Sequence, residues 1–323
     1  AGTDAGVYYS SDDGNTWLRA KYNFAWAGSA YPITPTYSQA PVAQRAHSMI
    51  YNGNTILTNA GIWGGKGACR SIDGVNYTKS NTNLTPISAN VFTTRAVAFH
   101  NNNFYIDDWN GLYKSSSAAA WSLVNGSFQL QSAFTSMSSS YPVLYATSNG
   151  DVYISTDDGV NFTLSNTNGG DILYAQGGDV ITGGANIGMF YSDNYGSSWV
   201  GIGSFGVVSF IKFNSEYFIS GGSQIYKFSN LSNPNYLSVS VGLEDCNYTS
   251  DFTEHNGSLY SSTSQSCILY NGVGVFKYNP NLTSTYDFFE KSDSRSLIRV
   301  VDILGRATKG AKNEVLFYIY DDG

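Results

Sequence analysis

The stretch GVYYSSDDGNTW (residues 6–17) returns as DVYISTDDGVNF (151–162), and this recurrence decides how the chain is read. Each copy is an apolar strand running into Ser-x-Asp-x-Gly, with an aromatic three residues after the glycine. The residues are Ser10, Asp12, Gly14 and Trp17 in one, and Ser155, Asp157, Gly159 and Phe162 in the other. A third copy, MFYSDNYGSSW (189–199), sets Ser192, Asn194, Gly196 and Trp199 in the same frame, with Asn for Asp. CRSIDGVNY (69–77) is one residue shorter and carries Ser71, Asp73, Gly74 and Tyr77. Worn versions end at Trp121, Tyr236 and near Phe288. The closing aromatics are separated by 60, 44, 41, 37, 37 and about 52 residues, the period of a four-stranded unit in a radial array of sheets.

Between these copies lies a second, independent repeat: strand, polar turn, strand. It reads SMIYNGNTILTNA (48–60), AVAFHNNNFYIDD (96–108), DILYAQGGDVITGG (171–184), SFIKFNSEYFISGG (209–222) and DFTEHNGSLYSS (251–262), with a looser member at 133–147. Asn, Gly and Ser at the centres supply the left-handed backbone of tight hairpins. Apolar residues alternate on both sides, as in half-buried strands, and helical periodicity is absent. One unit is therefore an inner hairpin followed by an outer hairpin that carries the Ser-Asp-Gly turn. Seven units can be counted, so the expected fold is all-β, a seven-bladed β-propeller of four-stranded antiparallel blades over residues 1–292. The first unit has only the outer hairpin. Of the strands LIRVVDI (297–303) and EVLFYIYDD (314–322), within 293–323, one is expected to close that blade, because closure removes the free sheet edge. A hairpin outside the ring is the rival arrangement.

Composition narrows the function. The chain has 323 residues, of which 42% are hydrophobic, 15% aromatic and only 13% charged. Such a chain buries a large core and is not disordered. A surface rich in Ser, Thr, Asn and Tyr suits a secreted or cell-surface protein. A net charge of −7 supplies no basic stripe for nucleic acid. No apolar run is long enough for a membrane-spanning helix, and Ala1 does not open a signal peptide. Of three cysteines, Cys246 and Cys267 could bridge and leave Cys69 as a buried thiol.

The Ser-x-Asp-x-Gly-x-x-Trp pattern resembles the Asp box, or bacterial neuraminidase repeat, of β-propellers, which sialidases, sortilin-type receptors, xyloglucan-cleaving hydrolases and photosystem assembly factors carry. The resemblance implies the fold and leaves the activity open. The residue types give the turn a structural role. Asp or Asn with Ser accepts hydrogen bonds from turn amides, Gly permits a positive φ, and the aromatic packs on a neighbouring blade. The family arrangement puts these turns on one face and the ligand site on the other.

On that other face the reading gathers Trp26 and Arg45 in the long loop 22–45, Trp63 and Lys66 in GIWGGKGA, Arg95, and Asp107, Asp108 and Trp109 in DDWNG. Aromatics flanked by hydrogen-bonding groups suit a sugar or a peptide. The same tryptophans could equally pack between loops. Sialidase chemistry needs an arginine triad, and only Arg45 and Arg95 of seven arginines are placed for it; the family's Arg-Ile-Pro motif is absent. A two-carboxylate hydrolase would take Asp107 or Asp108 with Asp171 or Glu244. His47, His100 and His255 show no metal spacing, and GGKGACR lacks the Walker pattern. Neither a metal nor a cofactor is expected. Asn-x-Ser/Thr occurs about as often as chance allows. Residues 297–323 are similar to type IX sorting tails, without their basic last strand. The function expected is non-catalytic binding of a glycan or protein ligand at the cell surface. A glycoside hydrolase and a structural subunit that associates with its own copies are the alternatives.

Overall fold

The computed structural model describes residues 2–3, 6–22, 48–60, 67–86, 92, 94–108, 110–125, 136–167, 169–170, 172–184, 187–221, 224–239, 249–263, 275–278, 280, 297–302 and 316–320. The chain divides into two compact units, 1–284 and 285–323.

The first unit is built of small antiparallel sheets whose strands follow chain order outward. The first blade comprises Met49–Tyr51, Ile56–Ala60, Gly67–Ser71 and Asn76–Lys79. The second comprises Thr94–His100, Asn103–Asp108, Gly111–Ser115 and Ser122–Asn125. The third comprises Ser136–Ser140, Val143–Ser148, Asp151–Ser155 and Thr163–Asn166. Ile172–Gln176, Asp179–Gly184, Gly188–Ser192 and Val200–Gly203 form the fourth. Ser209–Phe213, Glu216–Gly221, Gln224–Phe228 and Leu237–Ser238 form the fifth. In the sixth, Thr249–His255, Ser258–Thr263 and Val275–Lys277 are described. First strands of successive blades lie against one another. This is a β-propeller.

Among the described residues the blades number six, which corrects the expected seven. The unit counted first in the sequence is a three-stranded sheet, Gly2–Thr3, Gly6–Tyr9 and Leu18–Arg19. It has the Ser-Asp-Gly turn, and among the described residues it shows three strands and not the four of a full blade, so the turn alone overcounts blades. Beyond it, Lys21–Tyr22 pairs in parallel with Asn76–Lys79 and adds a fifth strand to the first blade. In the second unit Leu297–Asp302 and Leu316–Tyr320 pair antiparallel as a two-stranded sheet.

The core lies between sheets, so blades are held by their neighbours. Leu57 and Ala68 of the first blade pack on Phe104, Ile106 and Trp121 of the second. Tyr105 and Leu112 pack on Met137 and Leu144 of the third, and Phe213 and Phe218 of the fifth on Phe252 and Leu259 of the sixth. Val7 of the N-terminal sheet packs on Cys69 and Tyr77, and Cys69 is buried as expected. Its burial pushes the thiol up to about 12. Cys246 and Cys267 lie outside the described residues. Among the described residues no helix is long and apolar enough to cross a membrane.

The turns fold as their residue types dictate. Ser10 Oγ donates to Asp12 Oδ1 at 2.7 Å and accepts from Gly14 N at 2.8 Å, while Thr16 N donates to Asp12 Oδ1 at 2.8 Å. Ser155 and Asp157 repeat this with Gly159 N and Asn161 N. Ser192 and Asn194 repeat it with Gly196 N and Ser198 N. In the shorter turn Ser71 and Asp73 hold Gly74 N and Asn76 N. The residue before each long-turn glycine, Asp13, Asp158 or Tyr195, has φ between 56° and 59°. These acidic side chains are engaged by the backbone.

Candidate functional site

Asp107 and Asp108 end the second strand of the second blade, and Asn101–Asn102, at the turn that precedes this strand, lie by the Ser-Asp-Gly turn of the third blade. At about 3.3 Å per residue, the strand separates the carboxylates from that turn by roughly 17 Å. The expected division into a turn end and a loop end therefore holds for this pair.

The loop end is polar and buried. Asp107 is 5% exposed and Asp108 2%. Asp108 Oδ1 accepts from Asn110 N at 2.7 Å, and Oδ2 is buried with no hydrogen-bond partner among the described residues. Burial raises this carboxyl to about 6, against the opposing pull of the Asn110 and Gly111 amides. Asn110 Nδ2 donates to the Thr85 carbonyl at 2.9 Å, and the Thr85 hydroxyl meets the Tyr113 hydroxyl at 2.9 Å. Burial, with the Asp108 charge adding to it, raises Tyr113, and the Thr85 bond opposes them. Thr94, the ladder partner of Asp108, donates from Oγ1 to the Gly67 carbonyl at 3.1 Å. Asn59 Nδ2 donates to the Thr94 carbonyl at 3.3 Å, stitching the first blade to the second.

Chemically this is a buried patch of hydroxyls, amides and carboxyls in which Asp108 Oδ2 has no hydrogen-bond partner among the described residues. The arrangement can take a hydrogen bond at Asp108, and a protonated Asp108 can give one. The side chains of Trp26, Arg45, Trp63, Lys66, Arg95 and Trp109 lie outside the described residues, as do Asp171 and Glu244. Asn59, Thr85, Thr94 and Tyr113 were not singled out from sequence, where they look like ordinary polar residues of strands and a loop. Among the described residues no three His, Cys, Asp or Glu side chains gather closely enough to hold a metal ion.

No family model and no curated protein matches the chain. Solved structures do. The GH74 enzyme of Niastella koreensis is 12% identical with a TM-score of 0.53; the match covers 72% of this chain and 36% of that one. The structure of YCF48 bound to D1 peptide is 11% identical with a TM-score of 0.53, covering 81% of this chain and 86% of that one. The extracellular domain of the hybrid two-component system BT3049 of B. thetaiotaomicron is 12% identical with a TM-score of 0.50, covering 72% and 33%. The chain thus spans about a third of the length of the GH74 enzyme and of the two-component-system domain. At these identities the likeness shows the fold.

Proposed function

We propose that this chain is an Asp-box propeller, exported or displayed at the cell surface, that binds a glycan or protein ligand at its loop end without cleaving it. The observation that carries this reading is the placement of Asp107 and Asp108. They are consecutive residues of one strand, so their side chains leave opposite faces of the sheet. Glycoside cleavage takes two carboxyls facing each other across the bond, about 5–10 Å apart, so Asp107 and Asp108 do not form such a pair with each other. The acids of the turns are engaged by turn amides at the other end of the blades. What the loop end offers is hydrogen-bonding capacity, which suits a neutral sugar or an extended peptide. The net charge of −7 argues against nucleic acid.

One observation favours a glycoside hydrolase as the second reading. Burial raises Asp108, the state that a general acid needs, and Asp171 or Glu244 would then be its partner. A structural subunit is favoured by a different one: Leu123, Leu164, Val200 and Leu237 are exposed on the outermost strands.

The test is to probe the full chain and its Asp108→Asn variant on a glycan array and a peptide panel, beside a polysaccharide hydrolysis screen. Retention on a glycan or peptide class, weakened by Asp108→Asn and without sugar release, is expected. Release of reducing sugar that Asp108→Asn abolishes would overturn non-catalytic binding.

A further inference from the structure

The N-terminal sheet meets both the first blade and the sixth, and it holds the two in unlike ways. Toward the first blade the joint is backbone pairing over a buried core. Lys21 N donates to the Val75 carbonyl at 2.7 Å, and Lys21 and Tyr22 run in parallel register with Asn76 and Tyr77. Val7 and Ala20 share one buried cluster with Cys69 and Tyr77 of that blade. Ala20 N also donates to the Val7 carbonyl at 2.9 Å, which ties the pairing segment to the packed strand.

Toward the sixth blade the joint is a few polar contacts at one turn. Asn256 Nδ2 donates to Asp13 Oδ1 at 3.1 Å, and the Tyr260 hydroxyl donates to the Asp13 carbonyl at 3.2 Å. His255 Nε2 lies 3.5 Å from Asp13 Oδ1. The same contacts recur between the second and third blades. There Asn101 Nδ2 donates to Asp158 Oδ2 at 3.0 Å, the Tyr105 hydroxyl donates to the Asp158 carbonyl at 3.1 Å, and His100 Nε2 lies 3.2 Å from Asp158 Oδ1. The settings differ. Between the second and third blades the contacts close over the packing of Tyr105 and Leu112 on Met137 and Leu144, and the His100 side chain is 0% exposed. At the sixth blade the His255 and Asp13 side chains are 62% and 56% exposed. Among the described residues no buried apolar cluster joins the sixth blade to the N-terminal sheet. Thr253 of the sixth blade's first strand is exposed too, as are Met49 and Tyr51 on the face of the first blade's inner strand opposite Ile50.

We infer that the N-terminal sheet is a one-sided strap: it stays fastened to the first blade, and the propeller opens between Asp13 and the sixth blade. Exposed hydrogen bonds exchange readily with water and contribute little net stability. Parting Val7 and Ala20 from Cys69 and Tyr77 would instead put buried apolar surface into water. Opening therefore follows the polar side. Once released, the sixth blade is the end unit of a stack, packed on the fifth blade through Phe252 and Leu259 and held on its other face by nothing described. Local opening of this kind is drawn from the least packed part of a fold. The inference concerns the turn end and is independent of the loop-end reading.

Hydrogen exchange of the full chain tests this with variants at two equivalent turn positions. Asp13 and Asp158 have φ of 56° and 57°, a backbone that glycine adopts without strain, so the substitutions remove a side chain and spare the turn. Asp13→Gly is expected to raise exchange over 249–263 about two- to tenfold, the scale of a lost hydrogen bond, while 18–22 and 67–79 keep wild-type protection. Tyr260→Phe removes the other bond, keeps the ring, and is expected to raise exchange over 249–263 as well. Asp158→Gly takes the equivalent contacts from the packed interface and is expected to change exchange over 94–108 by less than about twofold. Unchanged exchange over 249–263 in both joint variants, an equal rise over 67–79, or an equal response over 94–108 to Asp158→Gly would overturn the inference.

Discussion

The indole nitrogen of Trp121 donates to the Ser80 carbonyl at 2.5 Å, reaching from the end of the second blade to the strand that closes the first. Trp199 makes the corresponding bond to Ser165 Oγ at 2.9 Å, and the Tyr236 hydroxyl to the Ile202 carbonyl at 2.6 Å. In these three repeats the closing aromatic thus ties its blade to the preceding one. Trp17, 36% exposed, bonds instead within its own turn, to the Gly14 carbonyl at 3.0 Å.

This gives a graded series. Trp121→Phe strands a buried carbonyl and is expected to cost about 2 kcal/mol, and Trp121→Ala about 4 kcal/mol. Tyr236→Phe should cost about 1 kcal/mol. Trp17→Phe should change stability by less than about 0.5 kcal/mol. Urea unfolding of the four variants checks the order; an equal loss at Trp17 and Trp121 would contradict it.

The acidic turns predict a pH dependence. Thr16 side-chain and backbone bonds, with Ser10, hold Asp12 down at about 2. Bonds from Asn76 hold Asp73 lower still. At Asp157 slight burial works the other way, and the Asn161 and Ser155 bonds outweigh it. All three bind protons less readily folded than unfolded. Their stabilisation is therefore complete above the ordinary carboxylate range, about pH 4, and is lost as pH falls through their folded values. Asn194 makes the same backbone bonds without a charge. Asn194→Asp should hold stability at pH about 7 and steepen the loss on acidification, and Asp157→Asn should flatten it. Thermal unfolding between about pH 7 and about pH 2 reads both.

Gly170 tests backbone packing between the third and fourth blades. Its amide donates to the Gly150 carbonyl at 2.8 Å, its φ is +91°, and a Cβ there would meet the Gly183 carbonyl carbon and oxygen at 2.2 Å. Gly170→Ala is expected to cost several kcal/mol, at about 4, or to prevent folding. Gly53 has φ +93° but open space around it, so Gly53→Ala should cost only about 1 kcal/mol. Comparable losses at the two sites would contradict the packing described.

Asp108 is expected to trade stability for function. Its folded carboxyl titrates at about 6, above its unfolded value, so its ionised form is penalised and folding weakens as pH rises through that window. Asp108→Asn removes the charge and should stabilise the protein by about 1–2 kcal/mol at pH about 8, with little change at pH about 4. A variant that is more stable yet weaker in ligand binding marks a functional carboxylate. Destabilisation at pH about 8 would show that the charge has partners of structural importance.

The repeats were legible because they depend on local chemistry. Ser-x-Asp-x-Gly bonds its own amides, and the hairpin turns at Asn101–Asn102, Gly177–Gly178 and Asn214–Ser215 carry the positive φ that their residue types allow. The blade count was not legible, since a turn reports an outer hairpin and says nothing of an inner one. Nor was the parallel pairing of Lys21–Tyr22 with Asn76–Lys79, because two-residue ladders leave no periodic trace. At the candidate site only Asp107 and Asp108 of the expected residues have described side chains.

The most direct measurement compares affinity and melting temperature for Asp73→Asn, Asp157→Asn and Asp108→Asn, using the strongest binder from the glycan array or peptide panel. If the acidic turns are fasteners and the loop end carries recognition, the first two variants melt earlier and keep wild-type affinity, while Asp108→Asn loses affinity. Weakened binding in Asp73→Asn or Asp157→Asn with an unchanged melting temperature would place ligand chemistry at the turns and contradict that assignment.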